Sequence, residues 1–127
     1  MTASAVAAVS LDPPLLLVCV DRQATFHPAI AGADHFVLNI LSQDQQEISD
    51  RFATQAEDKF HGIPHRLHDW GAPLLDGVVA HILCEPWKAI EAGDHTVFFG
   101  RVAGGDVTDR DPLLHFMGRY RSTRESD

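Results

Sequence analysis

The sequence has no long apolar segment, and its 127 residues include only two cysteines. A membrane helix needs about 20 consecutive apolar residues. No stretch of this chain reaches that length, so we predict no membrane-spanning helix. We also expect no secretory signal, because no charged segment followed by an apolar one is present. Cys19 and Cys84 each lie inside an apolar run, where a free thiol packs as a small hydrophobic group. We therefore predict two unpaired cysteines and a cytoplasmic protein.

Basic residues are also scarce. Lysine and arginine together number 10, against 18 aspartates and glutamates, which gives a formal net charge of −8. An acidic surface repels phosphate backbones, so we expect no nucleic-acid partner. A single phosphorylated ligand remains compatible with this charge, because backbone N–H groups and hydroxyls can hold a phosphate locally.

Several catalytic motifs are missing from the sequence. It has neither a G-x-S-x-G motif nor a P-loop, so nucleophilic hydrolysis finds no support in the sequence. Among the eight histidines, His61, His65 and His68 cluster in a loop rich in glycine and proline. No cysteine pair or helical i, i+4 spacing accompanies them, as a zinc site would require. We predict that these histidines lie on a surface loop and that the chain has no metal site.

Short apolar runs bounded by turn residues are frequent, and such runs are typical of strands. The opening residues up to Val9 are compatible with either helix or strand. Ala92, Gly93 and Asp94 indicate a hairpin turn, and Gly104 with Gly105 indicates a bulge or strand end. The predicted strands are 15–20, 35–41, 78–91, 96–107 and a short last strand within 113–120.

Helix signals are fewer. Pro28 suits the start of a short helix over 28–33, and Ser42 with Gln45 resembles a capping box for a helix to about residue 54. The stretch 57–73, with two glycines and two prolines, predicts a long irregular loop. This order of elements favours an antiparallel barrel or sandwich. The length predicts one domain, which we place at 1–121, followed by a frayed tail at 122–127.

The opening run contains hydroxyl residues among alanines, followed by Asp12-Pro13-Pro14. Small side chains allow a ligand to approach the backbone, and the two prolines restrict the direction in which the next strand begins. We hypothesise that a phosphorylated cofactor lies along this run, which includes Thr2, Ser4 and Ser10. The alternative, which is about equally compatible with the composition, is that these hydroxyls face solvent or a neighbouring strand.

His95 directly follows the Gly93-Asp94 turn and begins a predicted strand. A histidine at a sheet end is held firmly and could reach a cleft, where its imidazole could serve catalysis. A hydrogen bond that supports the turn explains its position equally well.

Motifs along nearly the whole chain resemble those of the flavin reductase family, whose domain is the FMN-binding split barrel. The opening Met1-Thr2-Ala3-Ser4-Ala5 and the later Gly93-Asp94-His95 are the most specific of these motifs. The other matching segments follow the family's order; they are VSLDPPL at 9–15, FVLNIL at 36–41, RFA at 51–53, DKF at 58–60, PLL at 73–75 and GRY at 118–120.

The resemblance implies a mainly β, split antiparallel barrel with one or two helices. It also implies a homodimeric enzyme that oxidises NADH or NADPH and reduces a flavin, FMN or FAD, which in many members is passed to a separate monooxygenase. Under this resemblance His95 is the catalytic residue, on the nicotinamide side. The flavin-contacting residues it implies are Thr2, Ala3, Ser4, Ser10, Leu11, Asp12, Pro13, Ala24, Thr25 and Phe26.

One departure from the family pattern concerns the start of the chain. Family members usually have a strand or two before the segment that matches residues 1–5, whereas here Met1 lies inside that motif. A barrel that lacks its N-terminal strand is therefore one expectation, and a different true start is another. Two further functions stay open: a flavin-binding split-barrel module without turnover, and a truncated inactive homologue.

Overall fold

A five-stranded antiparallel sheet forms the centre of the chain, and the computed structural model describes residues 1–3, 5–54 and 58–123. The strand order across the sheet is β1-β2-β7-β6-β3. These strands are β1 (Val6–Leu11), β2 (Pro14–Asp21), β3 (Phe36–Ile40), β6 (Ala80–Ala92) and β7 (His95–Val107). The mainly β, antiparallel architecture predicted from the order of elements is confirmed.

Two small hairpins and two short helices complete the described part of the chain. The hairpins are β4 (His65–Leu67) with β5 (Pro73–Leu75), and β8 (Leu114–Phe116) with β9 (Arg119–Arg121). The helices are α1 (His27–Ala31) and α2 (Gln46–Phe52). Neither helix is long and apolar enough to cross a membrane.

One face of the sheet carries the main core. Leu16, Val18 and Val20 alternate along β2 and point to the same side, as period-2 side-chain alternation requires. They pack with Phe98 of β7 and with the other buried members of this cluster, which are Ile30, Phe36 and Cys84. A second cluster of Ile63, Leu75 and Val78 lies under α2 and the residues that follow it. Because β2 uses only its even-numbered positions for the main core, the opposite face remains for other contacts.

The hairpin of β6 and β7 confirms the predicted turn, since Ala92 pairs with His95 across Gly93 and Asp94. Gly93 has φ +64°, which a glycine adopts without steric cost. The predicted irregularity at Gly104-Gly105 is also present, because the register shifts where Leu83 pairs with Gly104 and Cys84 pairs with Val102.

Helix α2 starts later than the capping box predicts. The Gln45 side chain does accept a hydrogen bond from the Ser42 N–H (3.0 Å), as in such a box. However, Ser42 also forms a β-bridge with Pro112, so its backbone is committed to strand-like pairing. The helix therefore begins at Gln46. Helix α1 likewise spans His27–Ala31 rather than 28–33.

One local prediction that was left open is resolved by the structure, and two others differ from it. The ambiguous opening residues form strand β1 from Val6 onwards, paired with β2. The predicted irregular stretch 57–73 contains β4 and the first residue of β5. The single predicted strand in 113–120 is a hairpin instead, because Met117 and Gly118 both have positive φ, 52° and 75°, and turn the chain.

Candidate functional site

A cleft of about 310 Å³ lies on the face of the sheet opposite the main core. Cys19 and Asp21 of β2 line it, and they alternate with the buried Val18 and Val20. His95, the first residue of β7, pairs directly with Asp21 and therefore shares its face. Three further segments close the cleft: the opening residues, the turn before α1 and the end of α2.

The opening segment is fixed by the last turn of α2. The Thr2 hydroxyl donates a hydrogen bond to the Ser49 carbonyl (2.6 Å), and the Thr2 N–H donates to the Phe52 carbonyl (3.1 Å). The Phe52 carbonyl at the end of the helix has no partner within the helix, and the Thr2 N–H supplies one, whereas the Ser49 carbonyl also accepts from the Ala53 N–H (3.1 Å). Beside Thr2, the small side chains of Ala3 and Ala5 line the cleft, which leaves room for a ligand near the backbone.

The turn between β2 and α1 provides a second wall. It is closed by a hydrogen bond from the Ala24 N–H to the Asp21 carbonyl (3.0 Å). Ala24, Thr25 and Phe26 all line the cleft. The Phe26 ring, 38% exposed, gives this wall an aromatic surface on which a planar ligand could pack.

His95 stands beside the tight turn of the β6–β7 hairpin. Its Nδ1 lies 2.8 Å from the Asp94 carboxylate, and this hydrogen bond lowers the pKa of Asp94 below its ordinary value. The turn is joined to the end of β2, because the Arg22 N–H donates to the Asp94 carbonyl (3.0 Å). The turn-supporting hydrogen bond and the position at a cleft, which the sequence left as alternatives, therefore occur together.

The cleft gathers six of the residues that the family resemblance suggested, namely Thr2, Ala3, Ala24, Thr25, Phe26 and His95. Ser4 lies outside the described residues. Ser10, Leu11, Asp12 and Pro13 do not line the cleft. They lie at the far end of β1, about 20 Å from Ala5 at about 3.3 Å per strand residue, and Leu11 is 93% exposed.

Lys59 is a cleft residue to which the sequence alone assigned no role. Its ammonium group donates to the Phe52 carbonyl (3.3 Å), so the side chain lies across the end of α2. Phe52, Ala53 and Thr54 line the same wall. The RFA and DKF segments were noted in the sequence, but only the fold shows that they meet the opening residues.

The clustered histidines of the 61–72 loop make local contacts. The His65 Nδ1 is 2.8 Å from the Ile63 carbonyl, and the His68 Nδ1 accepts a hydrogen bond from the Trp70 N–H. Across the described ranges no group of three or more histidine, cysteine, aspartate or glutamate side chains is arranged to hold a metal ion.

Comparison with known proteins finds similarity along almost the whole chain. The family model described as "Flavin reductase like domain" matches residues 1–124. A flavin reductase from Pseudomonas putida is 41% identical over 121 residues, which cover 94% of this chain and 71% of that protein. The chain spans between 40% and 59% of three further relatives.

Two solved structures are closely similar in fold. One is the homologue of nitrilotriacetate monooxygenase component B from Mycobacterium thermoresistibile, with a TM-score of 0.91 and 40% identity, covering 96% of this chain and 70% of that one. The other is the NADH:FAD oxidoreductase SgcE6 of Streptomyces globisporus in complex with NAD and FAD fragments. Its TM-score is 0.93 at 35% identity, covering 99% of this chain and 76% of that one. These similarities confirm the predicted split-barrel fold class, and the chain belongs to the flavin reductase-like domain family.

Proposed function

We propose that this protein reduces a flavin, FMN or FAD, with NADH or NADPH as the hydride donor. The observation that carries the proposal is the convergence of Thr2–Ala3, Ala24–Phe26 and His95 on one cleft. These three segments are far apart in sequence, and the fold brings them to the same face of the sheet. Relatives named as flavin reductases support the same activity.

The cleft fits a flat ring system. Its volume of about 310 Å³ is at the lower end of the roughly 300–1,000 Å³ typical of small-molecule sites. The alanines of the opening segment leave the backbone accessible, and Phe26 offers an aromatic surface. Thr25, Thr54 and Lys59 contribute polar groups to the lining of the cleft. A flavin ring would be held between these walls, with Lys59 available to an anionic phosphate.

A bound flavin supplies a ring that accepts hydride from a nicotinamide stacked against it. The chain's own residues then hold the two rings in register and exclude water, which is how a protein accelerates such a transfer. We assign His95 to the nicotinamide side. Ser4 and the residues 10–13 remain predicted flavin contacts that need separate tests, and we propose residues 1–121 as the functional domain.

We further propose that the protein is a cytoplasmic homodimer. The sheet face that carries the cleft also presents apolar residues that the described chain does not cover fully. Leu17 pairs with Phe99, and Val97 pairs with the 42% exposed Ile90, on this same face. Trp87, 53% exposed, packs edge-on against Phe99. Light scattering after gel filtration should give twice the mass of the chain, and the mass of one chain would contradict the proposal.

Reduced flavin is a substrate of flavin-dependent monooxygenases, and several relatives are named as reductase components of such systems. We propose a monooxygenase of this kind as the consumer of the product. Adding such an oxygenase and its substrate should yield hydroxylated product only when this protein, flavin and reduced nicotinamide are all present. Product formation that does not depend on this protein would count against the assignment.

The reductase assignment is tested by flavin fluorescence quenching and by NADH consumption with FMN or FAD. We expect saturable flavin binding and flavin-dependent NADH oxidation. The variant His95→Ala should slow NADH oxidation more than it weakens flavin binding, and His115→Ala, a change in an exposed β8 histidine, serves as the matched control. Flavin binding without any NADH oxidation would favour the binding-module alternative, and equal losses in His95→Ala would make His95 purely structural.

A further inference from the structure

The turn next to His95 contains Asp94, whose carboxylate forms a hydrogen bond with the His95 imidazole. The Nδ1 of His95 lies 2.8 Å from Oδ1 of Asp94. The lowered pKa of Asp94 means that this carboxyl group is ionised at neutral pH. An ionised carboxylate can only accept hydrogen bonds, so Nδ1 is the donor and carries the proton.

Three backbone interactions fix the turn that carries Asp94 and His95, so the two side chains are held next to each other. The Arg22 N–H donates to the Asp94 carbonyl (3.0 Å). His95 pairs with Asp21 on one neighbouring strand and with Ala92 on the other. Asp94 itself is exposed at the side chain, and its effect on His95 therefore depends on these backbone interactions rather than on burial.

The two nitrogens of a neutral imidazole have opposite roles, and the hydrogen bond at one nitrogen decides the role of the other. In the neutral ring with its proton at Nδ1, the Nε2 of His95 keeps an unshared electron pair. Within the part of the chain that the structure describes, no partner contacts this Nε2. His95 lines the cleft, so a ligand that enters the cleft meets a hydrogen-bond acceptor there.

We propose that Asp94 is a positioning residue for His95: its carboxylate fixes the Nδ1-protonated tautomer, so that Nε2 accepts a hydrogen bond from an N–H or O–H group of the nicotinamide nucleotide. The inference rests on the proposed reductase function for the identity of the ligand. The tautomer itself depends only on residues 94 and 95.

The test combines kinetics with a direct view of the ring. Asp94→Ala should lower kcat/KM for NADH by about five- to tenfold, the scale of one partly exposed charge-assisted hydrogen bond, and leave flavin affinity within about twofold. Asp94→Asn keeps an acceptor oxygen and should recover most of the loss. In a His95→Gln background Asp94→Ala should have no further effect. Glu91→Ala, which removes an acid from the same hairpin outside the cleft, is the matched control.

Nitrogen-15 NMR of labelled histidine reports the tautomer without turnover. We expect the neutral His95 ring to be protonated at Nδ1 in the unaltered protein and to shift towards the Nε2-protonated form in Asp94→Ala. An Nε2-protonated ring in the unaltered protein would overturn the proposal, and so would an undiminished effect of Asp94→Ala in the His95→Gln background. If no NADH oxidation occurs at all, the reductase function fails, and the NMR result alone then decides whether Asp94 sets the His95 tautomer.

Discussion

Among the buried polar residues, His81 is the one whose replacement we expect to lower the stability of the fold most. It lies on β6, is 8% exposed, and uses both ring nitrogens. Nε2 donates to the Leu75 carbonyl of β5 (2.7 Å), and Nδ1 lies 2.8 Å from the Asp106 carboxylate of β7. One imidazole therefore connects β5 to the central hairpin, and we predict that His81→Leu destabilises the fold.

The magnitude follows from what the substitution leaves behind. The Leu75 residue is buried, so its carbonyl would lose its partner without gaining water, which costs about 1–3 kcal/mol. The Asp106 side chain is 55% exposed. Solvent therefore screens its interaction with His81, and loss of this contact should cost at most about 1 kcal/mol. The sum is about 1–4 kcal/mol, and for a chain of this length it corresponds to a fall in Tm of about 3–15 °C.

Urea and thermal unfolding measure this loss directly, with His61→Leu as the control. His61 is exposed, and the same chemical change there should alter stability by no more than about 0.5 kcal/mol. Equal effects of the two substitutions would refute the reasoning.

The pH dependence gives an independent check of the same contact. The hydrogen bond from His81 lowers the pKa of Asp106 below its ordinary 3.8 in the folded protein. The stability that Asp106 contributes is therefore fully present above about pH 3.8, and it is lost as the pH falls through the lowered folded-state pKa. In His81→Leu this acid-side loss should be smaller, and an unchanged acid limb would contradict the assignment.

Three further predictions concern the bulge, the buried thiol and the opening segment. Gly105→Ala should lower the free energy of unfolding in urea by more than about 3 kcal/mol, because a Cβ there would lie 2.0 Å from the His81 carbonyl oxygen at φ +147°. The control is Gly104→Ala, whose Cβ would meet only a side chain at 3.7 Å. Similar losses of stability in the two variants would contradict this prediction. Burial raises the pKa of Cys84 to about 11, so at pH 8 roughly one thiol in a thousand is ionised. Mass spectrometry should therefore find that Cys84 is alkylated far more slowly in the folded protein than in the unfolded chain. Equal rates of alkylation would contradict this. Thr2→Val removes the hydrogen bond to α2 and should raise the flavin Kd by about three- to tenfold in a quenching titration, and an unchanged Kd would show that this anchor does not shape the cleft.

The strands that were predictable from sequence are those whose signal is local. Residues 15–20 are continuously apolar, and the Gly93-Asp94 turn has few other solutions, so β2 and the β6–β7 hairpin were predicted close to their observed bounds. Helix α2 was predicted three residues too early because the bridge between Ser42 and Pro112 joins distant parts of the chain. The capping motif involves only neighbouring residues, so it cannot indicate a bridge to a distant residue.

The cleft was predictable only in part, for a similar reason. The resemblance pointed to the opening residues, the turn before α1 and His95, and the fold does bring these together. It also pointed to residues 10–13, which lie at the other end of β1 and do not line this cleft; their contact with flavin stays a prediction. Lys59 became a candidate only through its packing against the end of α2, which has no local sequence signal.

The cleft on the sheet face opposite the main core should transfer hydride from a reduced nicotinamide to a flavin. Anaerobic stopped-flow mixing of the protein and FMN or FAD with NADH or NADPH tests it most directly, since nicotinamide oxidation and flavin bleaching are followed in the same reaction. We predict that the two changes occur together in equal amounts, at a rate that saturates with both ligands and is slowed in His95→Ala. A correctly folded protein that binds flavin but leaves both absorbances unchanged would contradict the claim.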